Sequence, residues 1–122
     1  MMHKPNRVVA HVADLLFTAR LRTAASAAAA ELVFASTPAE VIALAREHNP
    51  RLLIVDLDTR ALDPVGLIAD CKEEPSTRDI PILAFVSHVR EDAIAAARAA
   101  GAEQVMARGA FVKNLAHILT LA

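Results

Sequence analysis

A doubly wound α/β sheet with five parallel strands in the order 2-1-3-4-5 is the fold that this sequence predicts, and three observations predict it. Five short apolar runs alternate with five helical stretches, and a strict βα alternation demands a parallel sheet covered by helices on both faces. The third run, Leu52-Leu53-Ile54-Val55-Asp56-Leu57, is apolar without alternation, as a central strand buried on both faces must be. Five such units fill 122 residues, a length that suits one domain and leaves no room for two.

The elements follow in order. Arg7 to Ala13 reads as strand one, after which Asp14 caps a helix through about Ala29. Glu31 to Ala35 reads as strand two. Thr37-Pro38-Ala39-Glu40 then opens helix two with a Thr cap, Pro in the first turn and Glu three residues after the cap. Asn49-Pro50 stops that helix. Strand three is Leu52 to Leu57, and helix three runs from about Pro64 to Lys72. Glu73 to Asp79 is a polar loop before strand four, Ile80 to Val86. Helix four spans about Arg90 to Ala100 and ends at Gly101. Gln104 to Ala107 is strand five, and Phe111 to Leu121 is helix five. The arrangement is flavodoxin-like, and its functional edge is the crevice at the carboxyl ends of strands one and three.

Composition excludes several classes of function. Lys plus Arg is 13 and Asp plus Glu is 14, a net charge of −1, which argues against a binder that neutralises nucleic-acid phosphates. Hydrophobic residues make up 55% and charged residues 22%, so the chain is not disordered. Alanine occurs 27 times, whereas aromatics are 3%, all Phe, leaving few platforms on which bases could stack. The single cysteine, Cys71, excludes an internal disulfide framework and a Cys-cluster metal site and is expected to be a packing residue. No apolar run approaches the roughly 18 residues of a membrane helix, and Met1 to Arg7 lacks the apolar middle of a secretory signal. A cytoplasmic location without membrane contact is expected.

The sheet rule brings Ala13-Asp14, Asp56, Asp58, Ser87-His88 and Arg108 to one rim. These segments also carry a resemblance. Leu52 to Leu57, closing on Asp56, resembles the phosphoacceptor strand of two-component response regulator receiver domains, the CheY-like family. Leu62-Asp63-Pro64-Val65-Gly66-Leu67, Ile80-Pro81-Ile82-Leu83 and Gly101-Ala102-Glu103 resemble the opening of their third helix, their fourth strand and the turn before their fifth. The match spans essentially the whole chain.

What the resemblance implies for chemistry is thinner. Asp56 falls on the phosphoacceptor. The two adjacent acids that would hold Mg²⁺ fall on Val12 and Ala13, with Asp14 one place late. The hydroxyl that senses the phosphoryl group falls on Val86, with Ser87 beside it. The aromatic switch falls on Val105, the phosphoryl-contacting Lys on Arg108, and the Pro after it on Gly109. Phosphoryl transfer to a carboxylate depends on positioning and on neutralisation of charge by metal and cation. A hard cation needs several oxygen ligands. Mg²⁺ is therefore expected only if Asp14 and Asp56 suffice, and no other cofactor is expected.

The chain is accordingly read as an atypical stand-alone receiver that is not an enzyme and acts by protein contact. It is expected to end with helix five, without an output domain. Its partner is a kinase, an output protein or a second copy through helix four, strand five and helix five, with Ala93, Ala96, Ala97, Val105 and Arg108 on the contact face and Arg90 and Arg98 bordering it. A functional phosphoacceptor on Asp56 is the alternative. A small hydrolase using Ser87, His88 and Asp56 is a third, although no nucleophile turn accompanies those residues. A flavin or nucleotide module would need a glycine-rich loop after strand one, where Ala13-Asp14-Leu15-Leu16-Phe17 stands. Plainer roles compete at each position: Asp14 as a helix cap, Asp56 as a cap of local amides or a partner of Arg108, Asp58 as a solvated loop acid. His11 reads as a buried, hydrogen-bonded imidazole, and His3, His48 and His117 as surface residues.

Overall fold

A computed structural model of the chain describes residues 6–59, 62–87 and 90–120. His3 and His88 lie outside the described residues. The elements are β1 (Arg7–His11), α1 (Leu15–Ala27), β2 (Glu31–Phe34), α2 (Pro38–His48), β3 (Leu52–Asp56), α3 (Pro64–Glu73), β4 (Ile82–Val86), α4 (Glu91–Ala100), β5 (Gln104–Ala107), α5 (Arg108–Lys113) and α6 (Leu115–Leu119). All four strand pairings are parallel, in the order β2-β1-β3-β4-β5.

Alternation along the strands sorts two cores. Val9, Leu53, Val55, Ile82, Ala84 and Val86 pack with α2, α3 and α4 on one face. Val8, Ala10, Leu52, Ile54, Leu83 and Phe85 pack with α1, α5 and α6 on the other. On that second face Phe17, Phe85 and Phe111 meet, with ring centroids 4.6 to 5.7 Å apart.

Local chemistry sets the boundaries. Asp14 caps α1 by accepting the amides of Leu16 and Phe17, and the Thr37 hydroxyl accepts the Glu40 amide at α2, as its signature predicts. Asp63 caps α3 through the Gly66 amide, and a side chain at position 66 would collide with that carboxylate. Gly101 ends α4 at φ +117°, a conformation that favours glycine.

The expected final helix is a correction. Helix formation begins at Arg108, directly after β5, and breaks at Asn114, whose side-chain amide bonds back to the Ala110 carbonyl. The Ala-rich stretch leaves α1 at Ala27 rather than Ala29, because Ala29 takes φ +55° in the turn to β2.

Buried polar groups follow expectation at Cys71 and His11. Cys71 is 1% exposed, and burial pushes its thiol up to about 11. His11 is 2% exposed; its Nδ1 bonds to the Ala35 carbonyl at 2.9 Å, so Nδ1 carries the proton. His117 is exposed as expected, whereas His48 is half-buried on the last turn of α2. No helix among the described residues is long and apolar enough to cross a membrane.

Candidate functional site

The carboxyl edge is where β1, β3, β4 and β5 deliver their last residues. Asp56 closes β3 and is 4% exposed. Its Oδ1 accepts the Asp58 amide at 2.8 Å, and its carbonyl accepts the Thr59 hydroxyl at 2.8 Å. Burial raises the Asp56 carboxyl above its ordinary value and the Asp58 carboxylate adds to that; the amides of Asp58 and Ala13 and the more distant Arg108 act against it. The plain expectation that Asp56 caps local amides holds.

Its expected pairing with Arg108 does not form. Arg108 starts α5, and its Nη2 lies 3.0 Å from Asp14 Oδ2. The guanidinium carbon also sits 4.2 Å above the Phe17 ring. The reason is topological: α1 and α5 cover the same face of the sheet and both begin at this edge. Arg108 is thus drawn toward α1. The Arg108 hydrogen bond is the main cause that holds the Asp14 carboxyl below its usual range, helped by the Phe17 and Leu16 amides.

Asp58 is exposed in its loop, as expected, and is also bonded there: Oδ2 accepts the Ser87 amide at 2.8 Å, and Oδ1 lies 3.7 Å from the Arg90 guanidinium. It joins the loop after β3 to the loop after β4. Ser87 thereby contributes a backbone donor to a carboxylate, and Val86 beside it is fully buried core. Val12 is half-buried and Ala13 exposed, and neither can ligate a cation through its side chain. Among the described residues, no three His, Cys, Asp or Glu side chains gather so as to hold a metal ion.

The expected contact face is partly redrawn. Ala96 is exposed and Ala93 half-buried, but Ala97 is 0% exposed and belongs to the core under α4. The helical turn puts Ala97 over the sheet while Ala95, Ala96 and Ala99 face outward. Val105 is half-buried against that same core. Arg108 leaves this face for Asp14 and Arg90 turns toward Asp58, so of the expected bordering cations only Arg98 stays exposed on α4.

Sequence reasoning missed the pairs Asp14–Arg108 and Asp58–Ser87. A usable signal existed for the first: a helix-capping acid and a cation opening another helix, on one side of one sheet edge.

No protein-family model matches the chain, and no curated protein matches it. Solved structures do resemble it. A putative response regulator from Chloroflexus aurantiacus J-10-fl superposes with a TM-score of 0.83 at 22% identity, over 95% of this chain and 95% of that one. Chemotaxis protein CheY4 of Vibrio cholerae gives 0.80 at 16% identity, over 93% and 94%. The signal receiver domain of a DNA-binding response regulator from Colwellia psychrerythraea 34H gives 0.77 at 18% identity, over 93% and 97%. The chain has the response regulator receiver fold.

Proposed function

We propose that this chain is a receiver-fold signalling module that works by contact with a protein partner and does not depend on Mg²⁺-assisted phosphorylation of Asp56. The observation that carries this reading is the ion pair Asp14–Arg108, at 3.0 Å. A phosphoryl group arriving at Asp56 needs a metal held by nearby carboxylates and a cation for its oxygens. Here Asp14 and Arg108, a carboxylate and a cation of this edge, neutralise each other, and Asp58 accepts the Ser87 amide. Asp14 Oδ1 is engaged by two amides and Oδ2 by the guanidinium, so no oxygen of this residue is left free of a partner. Val12 and Ala13 supply no oxygen from their side chains. With Asp14 so engaged, the residues present argue against a Mg²⁺ site.

What remains is a rigid edge and an exposed helix. Asp58 ties the β3 and β4 loops together through Ser87, and Arg90 at the start of α4 is drawn toward the same carboxylate. The contact surface assigned is the outward side of α4, Ala95, Ala96, Arg98 and Ala99, next to the free edge of β5. Short side chains there allow close approach at little cost in side-chain entropy. The partner is a protein or a second copy of the chain.

The alternative, phosphorylation of Asp56, is favoured by one feature: the carboxylate stands at the end of the central strand. Incubation with a small-molecule phosphodonor and Mg²⁺, followed by intact-mass measurement, separates the two. An unmodified chain supports contact signalling; a phosphate adduct lost in Asp56→Asn supports the alternative.

A further inference from the structure

The opposite, amino-terminal edge of the sheet holds a cavity of about 450 Å³, within the size range of small-ligand sites. It lies between the five-residue α6 and the starts of β3, β4 and β5. The strand residues Leu52 and Leu83, with Pro81 and Ile118, supply an apolar lining.

Arg51 is the cationic side chain whose environment in this cavity is unusual. It is half-buried, and desolvation lowers its pKa. Nε donates to Asn6 Oδ1 at 2.6 Å and Nη2 to the Ile118 carbonyl at 2.9 Å. Asn6 in turn donates to the Leu119 carbonyl at 2.8 Å, so the guanidinium is held in place. Both acceptors on Arg51 are neutral, and among the described residues no carboxylate lies within ion-pair distance of it. Glu103 lines the same cavity but is matched elsewhere: Oε2 to Lys72 Nζ at 2.7 Å, Oε1 to the Ile82 amide at 2.8 Å.

A guanidinium carries five N–H donors, and the described residues take two of them. A partly desolvated cation with no counter-charge among the described residues favours an anion, best a planar one that can take two parallel hydrogen bonds. Gln104 and His117 on the rim add polar contacts, and the apolar lining asks for a hydrocarbon body. We propose that this cavity binds a small organic monocarboxylate, with Arg51 on the carboxylate and the strand ends on its apolar part.

Hexanoate is the probe, with hexanamide as its neutral counterpart and inorganic phosphate as an anion without an apolar body. Backbone amide NMR should give saturable shifts for hexanoate centred on Leu52, Leu83, Gln104 and Ile118. Hexanamide should bind at least about tenfold more weakly, the size of one lost charge-assisted hydrogen bond, and phosphate should not compete. Arg51→Gln should remove the preference for acid over amide. Because Arg51 also anchors α6, Gln104→Trp at the exposed rim is the second variant, and it should block both ligands in a folded protein. No saturable shift, equal binding of hexanamide, competition by phosphate, or shifts centred on Arg108 would each overturn the assignment.

Discussion

Asp14 and Arg108 stand 94 residues apart and close on each other at 3.0 Å across the carboxyl edge of the sheet. The pair joins the start of α1 to the start of α5, and Phe17 lies under the guanidinium. With Arg108 held by Asp14, Asp56 stays buried, bonded to the Asp58 amide, and without a direct cationic partner among the described residues.

Arg108→Ala should raise the Asp14 pKa toward the ordinary carboxylate value, because the guanidinium is the main cause of the lowering. The linkage follows from the direction. A carboxyl with a lowered folded-state pKa contributes stability that is present above its unfolded value, near 3.8, and lost as pH falls through the folded value. Carboxyl titration by NMR and acid unfolding should therefore agree: in Arg108→Ala the Asp14 resonance titrates at higher pH and less stability is lost on acidification. An unmoved Asp14 titration would mean that the pair does not persist in solution.

Asp56→Asn should stabilise the protein at neutral pH. Burial raises the Asp56 pKa, so the folded state holds its proton more tightly than the unfolded chain does. Stability then falls as pH rises from about 3.8 through the folded value, and the full penalty persists above it. Asn keeps an oxygen for the Asp58 amide and carries no charge. The urea midpoint at pH 7 should rise with an unchanged slope, and the difference should vanish well below pH 3.8. A lower midpoint at pH 7 would contradict a desolvated carboxylate.

Ala96→Glu and Ala97→Glu, neighbours on α4, should separate contact from core. Position 96 is exposed, and Glu there should change stability by no more than about 0.5 kcal/mol. Position 97 is 0% exposed, and an unpaired carboxylate there should cost several kcal/mol, roughly 3 or more. Chemical denaturation ranks the two. Binding or self-association, followed by light scattering at several concentrations, should be weakened by Ala96→Glu in a folded chain; unaltered association would move the contact surface off α4.

Gly101→Ala should destabilise by about 1 kcal/mol or more. The residue sits at φ +117°, and an added Cβ would come within 2.7 Å of Lys72 Cγ. Lys72 also carries the bond to Glu103, so the side chain cannot simply swing away. Thermal unfolding measures the loss.

The parallel sheet and its order were legible because β3 is apolar along its length and because Thr37-Pro38, Asn49-Pro50 and Gly101 punctuate the helices. These signals are local, and local chemistry decides them. The interrupted last helix was not legible, since Arg108-Gly109-Ala110 carries no helix-start signature and Asn114 gives no stop signal of the Gly or Pro kind. Of the predicted rim residues, Asp14 meets Arg108 and Asp58 meets Ser87, but these partners were not readable from spacing. Whether Arg108 meets Asp56 or Asp14 depends on which face α1 and α5 share, and that is a property of the assembled sheet. Ala97 was misassigned for a related reason: in a helix made almost wholly of alanine, composition gives no phase.

The most direct measurement is an amide NMR titration of the wild-type chain with Mg²⁺ and beryllofluoride, read at Asp56, Asp58 and Ser87. If Asp14 and Arg108 neutralise each other and no metal site remains, those amides should show no saturable change. A saturable shift at Asp56 and Ser87 that disappears in Asp56→Asn would contradict that conclusion.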